Sequence, residues 1–93
     1  MLDANNRITI GAELMLRANL KPNQEIDIFF DHLEKRLLFL PSDEVNATTM
    51  YFVKSHSIDS KSRVFVPKCI RDIFPKASYL PVERNGKIFV LII

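Results

Sequence analysis

The 93-residue sequence has one cysteine, two glycines and no tryptophan, and these scarcities exclude several classes of structure. The single Cys69 excludes an internal disulfide, fits a reducing compartment, and is expected to be a small buried hydrophobe. So few glycines argue against a loop-rich fold. No apolar window reaches the ~18 residues of a membrane-spanning helix, and the opening MLDANNR lacks the order of a signal peptide. We expect a cytoplasmic protein with no membrane partner.

Residues with catalytic or metal-binding chemistry are also scarce. His32, His56 and Cys69 lack the spacing of metal ligands. The stretch HSID places its polar side chains on opposite faces of a strand, so it is not a catalytic triad. The sequence has no glycine-rich phosphate loop and no arguable pair of catalytic carboxylates. We therefore expect no enzyme, no cofactor and no metal.

What the chain has in quantity is apolar and charged residues, 47% and 26% of it. This composition is typical of a globular protein, and the length predicts a single domain, 1–93. The net charge is divided unevenly. Residues 1–46 carry five Lys and Arg against eight Asp and Glu, a net charge of −3, whereas residues 47–93 carry eight against three, or +5. A basic half suits a polyanion, although an ordinary solvated surface explains the same asymmetry.

The sequence repeats itself at a shift of 56 positions. LDANNRITIGAELM and IDSKSRVFVPKCIR then align, and each is followed by two strand-like apolar stretches. The aligned pairs are Asp3 with Asp59, Arg7 with Arg63, Ile8 with Val64, Ile10 with Val66, and Leu14 with Ile70. Half of the chain buries too little surface to fold alone, so the two copies are expected to share one core.

Apolar periodicity predicts a mainly β fold with one short helix in each copy. The order is β-α-β-β, followed by β-β-α-β-β. Pro81 places its strand at an edge or at a bulge, and Asn85-Gly86 predicts a tight hairpin. The predicted strands are 7–10, 25–30, 36–40, 49–57, 63–66, 79–84 and 87–93, the helices are 12–19 and 67–74, and 41–44 is a linker. The seven phenylalanines and two tyrosines are expected in the core or at an interface.

The duplicated motif resembles the AbrB/MazE/MraZ superfamily of swapped-hairpin DNA-binding proteins. Its pattern is Asp-x-x-Gly-Arg, a strand ending in proline, a short helix and a β-hairpin, and the resemblance covers nearly the whole chain. It implies a pseudo-symmetric swapped-hairpin β-barrel built from two β-α-β-β repeats, one in residues 1–46 with the linker and one in residues 47–93.

The resemblance also implies a function, that of an AbrB-type transcriptional regulator that binds double-stranded DNA in the cytoplasm, on the nucleoid. Asp3 and Asp59 are expected to hold the turns. The arginines after them are either their salt-bridge partners or readers of phosphate and guanine. The residues expected to face DNA are Arg7, Lys54, His56, Lys61, Arg63, Lys68 and Arg71.

The motif departs from the family in both copies. Asn6 and Ser62 replace the turn glycine, and because serine adopts a left-handed backbone less readily, the second turn is expected to be reshaped. The positions of the family's DNA-contacting helix arginines hold Arg71 and Asp72 in copy two. They hold Met15 and Leu16 in copy one. Copy two is therefore the predicted DNA-binding half.

Two other functions stay open. The protein could be the antitoxin of a toxin–antitoxin pair, although such antitoxins carry an acidic tail and this chain ends on Ile92-Ile93. It could instead be a protein-interaction or assembly module with a partner on the acidic first repeat. Edge strands and a surplus of apolar residues also predict a homo-oligomer, most simply a twofold dimer.

Overall fold

The computed structural model describes residues 2–42 and 50–93, which form a mainly β structure with two short helices. The order of elements is the predicted one, and the bounds differ from the prediction by one or two residues at strand and helix ends. The elements are β1 Arg7–Thr9, α1 Ala12–Arg17, β2 Glu25–Asp31, β3 Arg36–Pro41, β4 Tyr51–Ser57, β5 Arg63–Phe65, α2 Lys68–Ile73, β6 Tyr79–Arg84 and β7 Lys87–Ile92. Thr49, the predicted start of β4, and the linker from Asp43 onward lie outside the described residues.

The larger sheet is antiparallel and has five strands in the order β4-β2-β3-β7-β6. Its central strands β3 and β7 pair with Leu38 opposite Phe89. Both strands have consecutive buried residues, 37–40 in β3 and 88–90 in β7. Uninterrupted burial of this kind requires cover on both faces of the sheet, as predicted for the apolar end of the chain.

The second sheet consists of β1 and β5 alone, paired antiparallel with Ile8 opposite Val64. Side chains alternate along a strand, so these two residues enter the core while their neighbours Arg7, Thr9 and Phe65 lie on the opposite face. The helices that follow contribute one fully buried side chain each, Met15 from α1 and Ile70 from α2. Every element near the motif therefore packs on one shared core.

The two outer strands of the large sheet differ from regular edges. β6, which contains Pro81, is an outer strand of the sheet, and this confirms the edge position predicted for it. Asn85 and Gly86 form a two-residue hairpin with positive φ of 55° and 77°. Arg84 and Lys87 are the hydrogen-bonded pair beside such a turn, and hydrogen-bonded pairs alternate with non-hydrogen-bonded pairs along the two strands. Pro81, opposite Val90, is therefore in a non-hydrogen-bonded pair. Its backbone nitrogen, which carries no hydrogen, points away from β7. At the opposite edge of the sheet, the pairing of β4 with β2 shifts register between Ile28 and Phe29 of β2.

Both sheets are open, because the outer strands β4 and β6 do not pair with each other in the part of the chain that the structure describes. The closed barrel of the prediction is not confirmed, and neither is the division into two repeats. No helix within residues 2–42 and 50–93 is long and apolar enough to cross a membrane.

The burial prediction for Cys69 is wrong. Cys69 is exposed rather than buried, because a helix of six residues turns one residue, Ile70, fully inward and leaves its neighbour outside. Tyr51 and Phe52, which were expected in the core or at an interface, are not in the core, because they are 62% and 58% exposed. They lie at the start of the outer strand β4, which has a neighbour on one side only.

Candidate nucleic-acid interface

The motif begins with two turns of the same geometry. In the first turn, Asp3 Oδ1 accepts hydrogen bonds from the backbone amides of Asn5 at 2.8 Å and Arg7 at 2.9 Å. In the second turn, Asp59 Oδ1 accepts the same bonds from Lys61 and Arg63, both at 2.9 Å. Each carboxylate therefore fixes the backbone two and four residues ahead of it.

The expected reshaping of the second turn is wrong. Asn6 and Ser62 both have a φ of 60°, so serine adopts the left-handed backbone that asparagine adopts in the first turn. The amides on either side of it are held by the aspartate, which leaves little conformational choice between them. The two turns also bracket the small sheet, because Ile10 N donates to Ser62 O and Val66 N donates to Asn6 O, both at 2.9 Å.

The aspartates and arginines of the two turns form one ionic network, here called the Arg/Asp quartet: Asp3, Arg7, Asp59 and Arg63. Arg7 donates from Nε to Asp3 Oδ2 and from Nη1 to Asp59 Oδ2, both at 3.2 Å. Arg63 donates from Nε to Asp59 Oδ2 at 2.7 Å, and its Nη1 lies 3.9 Å from Asp3 Oδ2. The quartet has no net charge. It links the turns across the strand pair and fixes both guanidinium groups.

The same contacts favour the ionised carboxylates. For Asp3, the hydrogen bond from the Arg7 amide is the main reason that its pKa is lowered. For Asp59, partial burial favours the neutral acid, but the Arg63 amide and guanidinium and the Lys61 amide outweigh it and lower the pKa. Both aspartates therefore hold their turns as anions at neutral pH.

A second group of predicted residues converges on the ring of Phe65, which lies across from Arg7 in the small sheet. We call Lys54, His56, Phe65 and Arg71 the Phe65 cluster. The His56 ring stacks on Phe65 at a centroid distance of 5.6 Å and an angle of 24°. Arg71 Cζ lies 5.1 Å and Lys54 Nζ 5.9 Å from the ring centroid, within reach of a cation–π interaction. Arg71 is also anchored by its Nε, which donates to Val66 O at 3.0 Å.

The six Lys and Arg residues among those predicted to face DNA therefore fall into two electrostatic classes. Arg7 and Arg63 share the carboxylates of the quartet, and Lys68 is paired with Asp72 at 2.7 Å. Within the described residues, Lys54, Lys61 and Arg71 have no carboxylate oxygen within 4.0 Å. Lys61 is exposed on the second turn. Uncompensated positive charge thus lies on β4, the second turn and α2.

The first copy has no matching charge. The 56-position shift aligns Phe65 with Thr9 and Arg71 with Met15. Thr9 is exposed and Met15 is buried in the core. Leu16, the next residue of α1, is 81% exposed. The face of the strand pair is therefore basic and aromatic on one side only.

Phe65 is the residue of this surface that the sequence reasoning missed, because it was grouped with the other aromatics as core or interface. The signal was present in the strand pattern. Val64 and Val66 are apolar neighbours of Phe65, and alternation along the strand places Phe65 opposite to them. Both valines are fully buried, so Phe65 had to lie on the outer face.

The remaining candidate sites are metal-binding groups and a cavity near α2. In residues 2–42 and 50–93, no group of three His, Cys, Asp or Glu side chains is arranged to hold a metal ion. A shallow cavity of about 420 Å³ beside α2 is lined by Arg71, Asp72 and Tyr79 among others. Burial raises the pKa of Tyr79, whose hydroxyl donates to Phe74 O at 3.2 Å.

No protein-family model, curated protein or solved structure matches the chain.

Proposed function

We propose that this protein is a DNA-binding transcriptional regulator of the AbrB type, and not an enzyme. Residues 1–46 and 47–93 would be two half-motifs of one pseudo-symmetric swapped-hairpin barrel. The second half would supply most of the contacts to double-stranded DNA, on the nucleoid in the cytoplasm.

One observation carries the proposal: the duplicated motif meets itself at β1 and β5, beside a surface of uncompensated cations. Ile8 pairs with Val64, its partner in the 56-position alignment. The turns before both strands have the same hydrogen bonds. Lys54, Lys61 and Arg71 lie around this strand pair without carboxylate partners in the described residues. Cations in this state gain most from phosphate, because no internal ion pair has to break.

Salt-dependent binding tests this function directly. With Lys61 on one phosphate and the neighbouring Lys54 and Arg71 together on another, the slope of log affinity against log salt should be about −1.8 on B-DNA. Affinity should then fall roughly 12-fold between about 50 and about 200 mM salt. The measurement is a gel-shift titration against mixed genomic DNA fragments at both salt concentrations. Wild-type protein that binds no DNA fragment at the lower salt would refute the proposal.

A second candidate function is a protein-interaction or assembly module, with a partner on the acidic first repeat. The Arg/Asp quartet favours it, because both arginines of the motif already have internal carboxylate partners. The exposed Leu16 stands where the family has a DNA-contacting arginine. Capture of a protein partner that is lost in a Leu16→Ser variant, together with absent DNA binding, would support this function.

We also propose that the protein associates as a twofold dimer. Tyr51 and Phe52, two adjacent exposed aromatic residues on the outer strand β4, offer an apolar surface for the contact. Light scattering should give twice the 10.8 kDa chain mass at high concentration. A Tyr51→Ser/Phe52→Ser variant should be monomeric, and a wild-type protein that stays monomeric would exclude the dimer.

A further inference from the structure

We infer that Phe65 is a positioning residue whose ring holds Lys54, His56 and Arg71 together as a site for one phosphate of a nucleic-acid backbone. This role rests on the proposed DNA binding and adds the place at which the backbone is gripped. Phe65 itself contributes no charge and no hydrogen bond. Its part is to fix the cations that do.

The first reason is the way in which these cations are held. Arg7, Arg63 and Lys68 are held by carboxylates, and each such contact cancels charge. Arg71 and Lys54 lie over an aromatic ring instead. The face of a ring attracts a cation through its quadrupole but carries no net charge. A phosphate that approaches the Phe65 cluster therefore meets the full charge of both side chains.

The second reason is that two of the side chains are fixed before any ligand arrives. Arg71 is fixed by its Nε contact to Val66 O and by the ring. These contacts leave its Nη groups to donate, and a planar guanidinium matches the geometry of phosphate oxygens. The His56 ring stacks on Phe65, and its Nδ1 lies 3.1 Å from Ser57 O. Side chains held in this way lose less conformational freedom on binding.

The third reason is that the arrangement occurs once on the strand pair. Thr9 occupies the position aligned with Phe65, and a threonine side chain offers no ring to a cation. The aligned partner of Arg71 is the buried Met15. The phosphate site is therefore formed by β4, β5 and α2, and the strand pair contacts the nucleic-acid backbone only there.

The test compares Phe65→Leu, which keeps apolar bulk but removes the ring, with Phe65→Tyr, which keeps the ring. Binding to one DNA fragment is measured by fluorescence anisotropy at several salt concentrations, with the melting temperature of each variant. Phe65→Leu should bind about tenfold more weakly, because Lys54 and Arg71 are no longer held in place and lose conformational freedom when DNA binds. Its salt slope should stay near that of wild type, because both cations remain. Phe65→Tyr should bind as wild type does.

The matched control is Phe30→Leu, the same change at an aromatic residue that is partly buried like Phe65 and has no cation over its ring in the described residues. It should leave DNA affinity unchanged. A double-mutant comparison separates positioning from a general loss of structure. In a Lys54→Ala/Arg71→Ala background, Phe65→Leu should cost little further affinity, because the groups that it positions are gone.

If Phe65→Leu does not fold, the coupling between Lys54→Ala and Arg71→Ala decides. The two losses should be non-additive when the ring holds both cations as one site. Lys76→Ala/Lys87→Ala, which removes the same charge elsewhere, should be additive. Wild-type affinity in Phe65→Leu, or simple additivity of the cluster cations, would overturn the role of Phe65 while DNA binding stands. Absence of DNA binding by the wild type would remove both proposals.

Discussion

Ile8 lies directly opposite Val64 in the antiparallel pair of β1 and β5, and both side chains are buried. The strands come from opposite halves of the chain, and each has only three residues. A pair this short is marginal by itself. Its stability depends on the core beneath it, to which both halves contribute.

The first prediction is that Ile8→Ala destabilises the whole protein. Removing a buried branched side chain should lower the free energy of unfolding by about 2–5 kcal/mol. Denaturant unfolding followed by circular dichroism measures the change. Leu16→Ala is the control, because its side chain is 81% exposed and its loss should change stability by less than ~0.5 kcal/mol. Equal effects of the two variants would contradict the shared core.

The second prediction follows from the same core. Residues 1–46 and 47–93, expressed separately, should each be unfolded or aggregated, because neither buries enough apolar surface. Mixing the two fragments should restore β structure if they meet at β1 and β5. Proton NMR of each fragment is the measurement. A dispersed spectrum from either fragment alone would show that the halves fold independently.

The third prediction concerns acid stability. The folded-state pKa values of Asp3 and Asp59 are lowered from an ordinary value of 3.8. A lowered folded-state pKa means that the unfolded chain binds protons first, so these residues stabilise the protein above pH 3.8. That stabilisation is lost as pH falls through the folded-state values. Asp59→Asn should therefore lower the melting temperature at pH 7. In acid, the difference in melting temperature between this variant and wild type should become smaller. A Leu16→Ala control, which removes no ionisable group, should differ from wild type by the same small amount at both pH values.

The fourth prediction concerns the β6–β7 hairpin. Gly86 has a φ of 77°, and an added Cβ would meet no atom within 4 Å. Gly86→Ala should therefore cost about 1 kcal/mol through backbone strain alone. Asn85→Gly, at the other positive-φ position of the turn, should be nearly neutral. Thermal melts of the two variants distinguish strain from steric overlap.

The fifth prediction separates a DNA contact from general charge. Lys61→Ala should reduce the salt slope of DNA binding by about 1, the contribution of one phosphate contact. Lys35→Ala removes the same charge from an exposed turn of the acidic half and should leave the slope unchanged. Equal slopes for Lys61→Ala and wild type would show that the second turn does not contact DNA.

Arg7→Ala and Arg63→Ala should each lower the melting temperature as well, because each breaks the Arg/Asp quartet.

The order of elements was predictable because strong local signals mark it. Pro81 and Asn85-Gly86 specify their own backbone geometry, and the structure places both where the pattern required. The signals were weaker where exposure depends on neighbours in space. Whether Tyr51 is covered depends on which strand lies outside β4, and no residue within β4 carries that information.

The site was predictable as a set of residues but not as a set of contacts. The sequence put Lys54, His56 and Arg71 in one basic half. It did not show that they share the ring of Phe65, because that arrangement needs β4, β5 and α2 to meet. The Arg/Asp quartet was half visible, since Asp59 and Arg63 are four positions apart. The link from Arg7 to Asp59 spans 52 positions and depends on strand pairing.

The pairing of β1 with β5 has a consequence for how this surface can change over time. In a strand pair made by two identical chains, any substitution appears on both sides of the axis at once. Here Thr9 and Phe65 are separate positions of one chain, so each can be altered while the other stays the same. A single gene change can then reshape one side of the pair and leave the other side free to preserve the packing.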